Sequence, residues 1–313
     1  MRVGVIGVGN MGFHHARIYA EMAREGILEF VGIADLNFER AKEVGEKFGV
    51  RAFGDYRELL NIVDAVSIAV PTKLHYEVSV EFIRKGVSVL VEKPICDSVE
   101  KAREMIRLAE MEGVKLMVGH VERFNPAVLK LKELIRKGEL GELITMSARR
   151  LGPFNPNASE TNVVVDLAIH DIDVMRFITG SEIEQVYARC RRIVGISEDY
   201  ALIYLKFGNS LDCVIETNRL TPQKIRNLSA VCLKAFANLD YIQQDLFILG
   251  DDGIKRVEVQ KREPLRNEIE SFIECIKKDR RPLVDGECGL YALMVAIKAL
   301  ESSKKNEVLE VFE

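Results

Sequence analysis

Residues 2–12 read Arg-Val-Gly-Val-Ile-Gly-Val-Gly-Asn-Met-Gly, an apolar run that breaks into Gly7, Gly9 and Gly12 at G-x-G-x-x-G spacing. In a strand-to-helix setting each glycine has a physical job. Gly7 permits the tight turn, Gly9 lets the backbone approach a pyrophosphate, and Gly12 lets helix and strand pack closely. The segment that follows has a helical pattern, and Asp35 closes the next apolar run, near the point about 20 residues on where an acid meets a ribose. Glycines alone mark only a turn; inside strand–turn–helix–strand they predict a dinucleotide site. The helix N-terminus holds the phosphates, through the backbone of Gly7, Gly9, Asn10, Met11 and Gly12, and Asp35 takes the ribose hydroxyls. Asp35 also repels a 2′-phosphate, and neither Leu36 nor Asn37 supplies a cation, so NAD is expected over NADP. Arg40 is the one nearby cation working against that preference.

The same grammar continues to about residue 120. Apolar runs at 2–7, 28–34, 64–70, 87–91 and 115–119 alternate with amphipathic stretches near 10–25, 37–48, 73–85 and 98–112. Most runs are apolar on consecutive positions, as in Val87-Ser88-Val89-Leu90-Val91. Such strands are covered on both faces, which predicts a parallel sheet between helix layers. Residues 1–120 are therefore expected to form an α/β, doubly wound Rossmann domain.

After residue 140 the pattern changes. Strand-like runs at 143–151, 183–194, 199–207, 211–217, 226–233 and 240–249 follow one another, separated by turn signals such as Phe207-Gly208-Asn209-Ser210 and Gly250-Asp251-Asp252-Gly253. Helical patterns at 125–137, 166–179, 263–278 and 286–303 are expected to cover one face of this sheet. Residues 121–313 thus read as an α+β domain with an open, mostly antiparallel sheet. Both faces of 199–207 look apolar or aromatic, which predicts a homodimer or homotetramer built through the sheet.

With 313 residues, two domains are reasonable. A net charge of −4 gives no general pull toward nucleic acid or an anionic membrane, and no stretch approaches a membrane span. The chain enters a strand at once, so no signal peptide is expected. Cys96, Cys190, Cys213, Cys232, Cys275 and Cys288 form no C-x-x-C pair. Reduced thiols in a cytoplasmic protein are expected, without a zinc site.

Three clusters beyond the glycine turn carry chemistry. Val70-Pro71-Thr72-Lys73-Leu74-His75 ends the third long apolar run, where strand ends line a cofactor crevice. Pro71 and Thr72 are expected to shape the loop around the cofactor, with His75 on the next helical turn; a solvent-facing histidine is the alternative. Glu92-Lys93-Pro94 ends the next run. A lysine placed there can hydrogen-bond a substrate hydroxyl and stabilise a developing alkoxide. The third cluster is Val165-Asp166-Leu167-Ala168-Ile169-His170-Asp171-Ile172-Asp173. Asp166 and His170 are four apart on one helical face, so the carboxylate can orient an imidazole suited to taking an alcohol proton. Asp166 as a helix cap beside a core histidine is the competing reading. A metal cluster of His170, Asp171 and Asp173 is not expected, because such neighbours do not converge on one ion.

On Gly7-x-Gly9-x-x-Gly12, Glu92-Lys93-Pro94 and Asp166-x-x-x-His170, the chain resembles the glucose-fructose oxidoreductase / inositol dehydrogenase / MocA-like (Gfo/Idh/MocA) family over essentially its full length. The resemblance implies an NAD-dependent sugar dehydrogenase in which Lys93 and His170 meet the substrate hydroxyl, Asp166 supports His170, and Glu92 and Lys93 border the cofactor. It also implies a second-domain sheet used for oligomerisation. The segments 118–126, 149–154, 222–226 and 239–244 are similar to the branch that oxidises the 3-hydroxyl of UDP-N-acetylglucosamine. That narrower resemblance implies substrate contacts from His120, Arg123, Asn125, Arg150, Lys224 and Arg226, the cations meeting a diphosphate; Arg149 is a further candidate. A free-sugar or inositol dehydrogenase and a non-catalytic NAD-binding regulatory protein are the competing functions.

Overall fold

The computed structural model describes residues 1–154, 161–208 and 210–312. It divides into two compact units, Met1–His120 with Leu265–Leu290, and Val121–Pro264 with Tyr291–Glu313.

The first unit is built on β1 (Arg2–Ile6), α1 (Asn10–Arg24), β2 (Glu29–Ala34), α2 (Phe38–Phe48), β3 (Arg51–Phe53), β4 (Ala65–Ile68), α3 (His75–Ile83), β5 (Ser88–Glu92), α4 (Val99–Met111) and β6 (Leu116–Gly119). Six parallel strands run in the order β3-β2-β1-β4-β5-β6. Their residues are buried on successive positions, Ala65 to Ile68 throughout, as expected of a sheet covered on both faces. The strand order reverses between β1 and β4, so the turns leaving these two strands flank the switch-point crevice where such sheets bind ligands. β3 escapes sequence reading because three residues carry no usable period. Helix ends follow their local chemistry: Asn37 and Ser98 accept from the backbone N–H groups of Arg40 and Lys101 at the starts of α2 and α4.

The second unit begins with α5 (Pro126–Arg136), capped by Asn125, and continues through β7 (Leu143–Leu151), α6 (Ile169–Thr179), β8 (Ile183–Arg191), β9 (Tyr200–Phe207), β10 (Asp212–Asn218), β11 (Ile225–Cys232), β12 (Phe236–Asp240), β13 (Asp245–Gly250) and β14 (Gly253–Val257). After α7 (Pro264–Lys277) and α8 (Gly286–Lys305), the short β15 (Leu309–Glu310) closes the chain. Nine strands form one sheet in the order β14-β13-β12-β11-β7-β10-β9-β8-β15, antiparallel except where β10 runs parallel to β7. On β9 the inner positions Ala201, Ile203, Leu205 and Phe207 are fully buried, while Leu202 is 42% exposed on the outer face. Val214, Val231, Phe247 and Leu249 continue that exposed apolar face across the sheet.

Two expectations need correction. The run at 240–249 is not one strand: the Asp240 carboxylate accepts from the N–H groups of Ile242 and Gln243, and Gln244 has φ +53°, so the chain turns there. The helix expected at 263–278 does not cover the second sheet. Residues from Leu265 to Leu290 belong to the first unit, where Arg266 pairs with Glu21 and Glu25 of α1 and Lys277 donates to the Ile27 carbonyl. Amphipathicity marks a face that must be covered but not which core covers it. The expected hairpin at 207–210 includes Asn209, which lies outside the described residues.

Candidate active site

The residues expected at the cofactor lie in the first unit. β1 leads into Gly7 at φ +80°, where a Cβ would stand 2.8 Å from the Ala69 carbonyl oxygen. At Gly12 a Cβ would collide with the Gly7 carbonyl oxygen at 1.8 Å, so the approach of α1 to the turn needs a bare backbone. At Gly9 a Cβ would meet nothing within 4 Å, so open space stands over the N-terminus of α1. Gly9 and Asn10 are exposed, no side chain caps this helix, and its first turn holds no acid. Free N–H groups at the positive dipole end beneath open space fit a pyrophosphate. Asp35 Oδ2 accepts from Val8 N–H at 2.8 Å and Oδ1 from Asn37 N–H at 2.9 Å, which holds the carboxylate beside the turn. Arg40 donates to the Val8 carbonyl oxygen at 3.3 Å and pairs with Glu43, so this cation is also near the turn. Thr72–Leu74 forms a single 3₁₀ turn after β4, with Pro71 exposed.

Lys93 follows β5, half-buried, and its bond to Pro94 is cis. Glu92, expected beside the cofactor, is engaged by a protein partner. Its carboxylate meets His15 Nε2 of α1 at 2.9 Å, and Glu268 of α7 brings a third polar group, with one donor atom of each within 4.8 Å of the others. Burial pushes the Glu92 carboxyl up, but the hydrogen bond and charge of His15, with help from Lys93, outweigh it and hold the carboxyl below its usual value. These donor types suit a divalent cation, but His15 Nε2 is already engaged by Glu92, and the grouping reads as a buried hydrogen-bonded cluster. His75 also differs from expectation. It is 1% exposed, with Nδ1 2.8 Å from the Pro94 carbonyl oxygen and Nε2 2.9 Å from that of Val70, so it is neither solvent-facing nor presented to a cofactor. His120, at the end of β6, is buried too.

Asp166 and His170 lie in the second unit. Val164–Ala168 forms a π-helical turn leading into α6, with Asp166 inside it and His170 just after it, half-buried. Such wide turns are rare and concentrate at functional sites. Arg219, just past β10, donates to Asp166 Oδ2 and to the Thr161 carbonyl oxygen, both at 2.6 Å. Sequence reading missed Arg219, His15 and Glu268. His15 leaves a faint trace, a polar residue in the buried stripe of α1; the other two leave none.

Three residues expected to meet substrate are buried on protein partners. Arg150, 2% exposed, pairs with Asp171 at 2.7 Å and Glu122 at 3.1 Å and lies over the Tyr241 ring. Arg123, 4% exposed, makes a two-bond pair with Asp173. Asn125 is fully buried, caps α5 and donates to the Tyr241 carbonyl oxygen. A guanidinium in the interior requires a carboxylate, and these carboxylates consume the charge a diphosphate would need. Asp171 and Asp173 are thereby committed to arginines, and Arg149 pairs with Glu216 on the surface. Arg226 is different. It sits opposite Arg150 in the β7–β11 pairing and has no hydrogen-bonded or ion-paired side-chain partner among the described residues. Burial, then repulsion from Arg150, lowers its pKa, with Glu122, Asp171 and Asp166 offsetting part of this. Lys224, two residues earlier, is exposed.

Residues 1–120 match the family model described as an oxidoreductase family NAD-binding Rossmann fold, and residues 128–254 match the GFO/IDH/MocA C-terminal domain. The chain belongs to the Gfo/Idh/MocA family of oxidoreductases. As a member it is an NAD(P)-dependent oxidoreductase of CH–OH groups, with residues 1–120 matching the NAD-binding Rossmann fold. A UDP-N-acetylglucosamine 3-dehydrogenase of Acidithiobacillus ferrooxidans is 32% identical over 308 residues, covering 95% of this chain and 96% of that protein. Its solved structure has a TM-score of 0.90 over 97% of this chain and 98% of that one. A myo-inositol 2-dehydrogenase of Thermotoga maritima is 29% identical over 338 residues, 99% of each chain. A levoglucosan dehydrogenase solved with NADH and levoglucosan shares the fold at TM-score 0.92 and 20% identity, over 100% of each chain. Among the described residues no helix is long and apolar enough to cross a membrane.

Proposed function

We propose that this family member oxidises a secondary hydroxyl of a nucleotide-diphosphate sugar, the 3-hydroxyl of UDP-N-acetylglucosamine being the best candidate. The observation that carries this is Arg226. A half-buried guanidinium with no described carboxylate paired to it, pressed against a second arginine, is only partly neutralised and suited to an anionic guest. A neutral sugar or inositol offers no anion there. Exposed Lys224 lies close by in sequence, and the 32% identity to a UDP-N-acetylglucosamine 3-dehydrogenase supports the same choice.

In this reading the Gly7–Gly12 turn and Asp35 hold the dinucleotide by its pyrophosphate and ribose. NAD⁺, when bound, supplies the hydride acceptor. His170 accepts the hydroxyl proton, a task matched to imidazole near neutral pH. Asp166, paired with Arg219, is placed to favour the imidazolium that results. Lys93 steadies negative charge developing on the hydroxyl oxygen. The outer face of the second sheet is covered by a second copy of the chain, since its row of exposed apolar residues exceeds what a lone sheet leaves in water.

A turnover screen tests the substrate. NADH formation with UDP-N-acetylglucosamine should far exceed that with free N-acetylglucosamine or myo-inositol. Preference for myo-inositol would overturn the reading, and no turnover with any CH–OH substrate would favour a regulatory NAD-binding protein.

A further inference from the structure

Lys93 lies just beyond the end of β5, where no strand ladder holds the chain, yet both its sequence neighbours are gripped by buried histidines. Before it, the Glu92 side chain is held by His15 of α1 at 2.9 Å, with His15 1% exposed. Gly119 faces Glu92 across the β5–β6 pairing, and a Cβ there would press within 3.1 Å of the Glu92 carboxyl carbon, so the side chain lies close against bare backbone. The fully buried Glu268 sits beside the pair. After Lys93, the Pro94 carbonyl oxygen is held by His75 Nδ1 at 2.8 Å, while Nε2 of the same ring reaches Val70 at the next strand-end loop.

We propose that His15 and His75 are positioning residues that brace the backbone of Lys93 from both flanks, one through the Glu92 side chain and the other through the Pro94 carbonyl. The inference rests on Lys93 acting at the substrate oxygen. Neither ring reaches solvent, so neither touches substrate, and water does not compete for either contact. A lysine ammonium rides on four rotatable bonds; an error in where its stem begins reappears at its tip. Carbonyl oxygens only accept, so the brace on Pro94 requires the His75 proton on Nδ1. Burial pulls the ring's pKa below its ordinary value, partly opposed by the Pro94 and Val70 carbonyls.

The test uses the full chain with UDP-N-acetylglucosamine and NAD⁺. Because a misplacement of about 1 Å can cost about 100-fold in rate, His15→Leu should lower kcat by up to that factor while NADH affinity, from fluorescence titration, stays within about twofold. His15→Gln, which keeps a donor near the Nε2 position, should restore most of kcat. His75→Asn keeps a donor toward Pro94 and His75→Gln keeps one toward Val70, so the Asn variant should exceed the Gln variant in kcat by about tenfold. This comparison of two similar polar replacements holds even if the leucine variant does not fold. A readout independent of turnover is the NMR signal of Lys93 after reductive ¹³C-methylation, assigned by its loss in Lys93→Arg. It should keep its wild-type position in His75→Asn and move to the exposed-lysine position in His75→Gln. Equal kcat in Asn and Gln variants, or an unmoved Lys93 signal in both, would overturn the bracing. Full kcat in Lys93→Met would instead overturn the lysine's chemical role, leaving the NMR comparison to decide the bracing.

Discussion

Arg150 and Arg226 face each other across the β7–β11 pairing, yet removing them should have opposite consequences. Arg150→Met strands the Asp171 and Glu122 carboxylates, which are now bonded to its guanidinium in a 2%-exposed setting. Breaking a buried pair from one side costs about 3–5 kcal/mol. For a unit of this size each kcal/mol moves the thermal midpoint by about 2–4 °C, so the midpoint should fall by roughly 6–20 °C. Arg226→Met strands no carboxylate among the described residues and removes a cation that Arg150 repels. Its midpoint should stay within about 2–4 °C of wild type, the equivalent of about 1 kcal/mol or less. Its effect should appear in substrate binding instead. A lost charged hydrogen bond of about 1.5–3 kcal/mol should raise KM for UDP-N-acetylglucosamine by about tenfold or more, with NADH affinity unchanged. Differential scanning calorimetry and steady-state kinetics on both variants decide this. If Arg226→Met loses as much stability as Arg150→Met while KM holds, the distinction between structural and substrate-facing arginine is wrong.

The remaining predictions follow from single contacts. Asp35→Ser should lower NADH affinity and raise NADPH affinity, each by about tenfold, given the worth of a charged hydrogen bond and the nearby Arg40; fluorescence titration measures both, and a wild-type preference for NADPH would refute the assignment of Asp35. Phe247→Glu, on the exposed face of the second sheet, should shift the protein to a smaller species in size-exclusion chromatography with light scattering, and an unchanged mass would place any interface elsewhere. The His75 ring, depressed below 6.5 by burial, binds its proton less readily folded than unfolded. Its contribution to stability is complete above 6.5 and is lost as pH falls below it. The wild-type melting temperature should therefore fall more steeply than that of His75→Asn from about pH 7 to about pH 5; parallel curves would refute the depressed pKa.

Much of the fold was legible because it is written in local patterns. Consecutive apolar positions at 64–70 and 87–91 fixed a sheet buried on both faces, and Gly7 and Gly12 sit where only a bare backbone fits. What escaped depended on partners distant in sequence. α7 looks the same whichever core it covers, and only ion pairs such as Arg266 with Glu25 show that it returns to α1. At the site, residue type signalled charge but not whether that charge was already used. Arg123, Arg150 and Arg226 look alike in sequence; only tertiary structure shows that Asp173 and Asp171 neutralise the first two and that no described side chain pairs with the third. The histidines show the same limit. His75 looked like a cofactor contact, but its ring is enclosed between two carbonyl groups, and His15 acts through a glutamate 77 positions away.

The most direct test of the whole account follows one hydrogen. UDP-N-acetylglucosamine deuterated at C3 is incubated with the protein and NAD⁺, and the reduced cofactor is analysed by mass spectrometry. The account predicts singly deuterated NADH with the wild-type protein and a much slower appearance of label with His170→Ala or Lys93→Met. Unlabelled NADH, or label arriving at the wild-type rate in both variants, would contradict it.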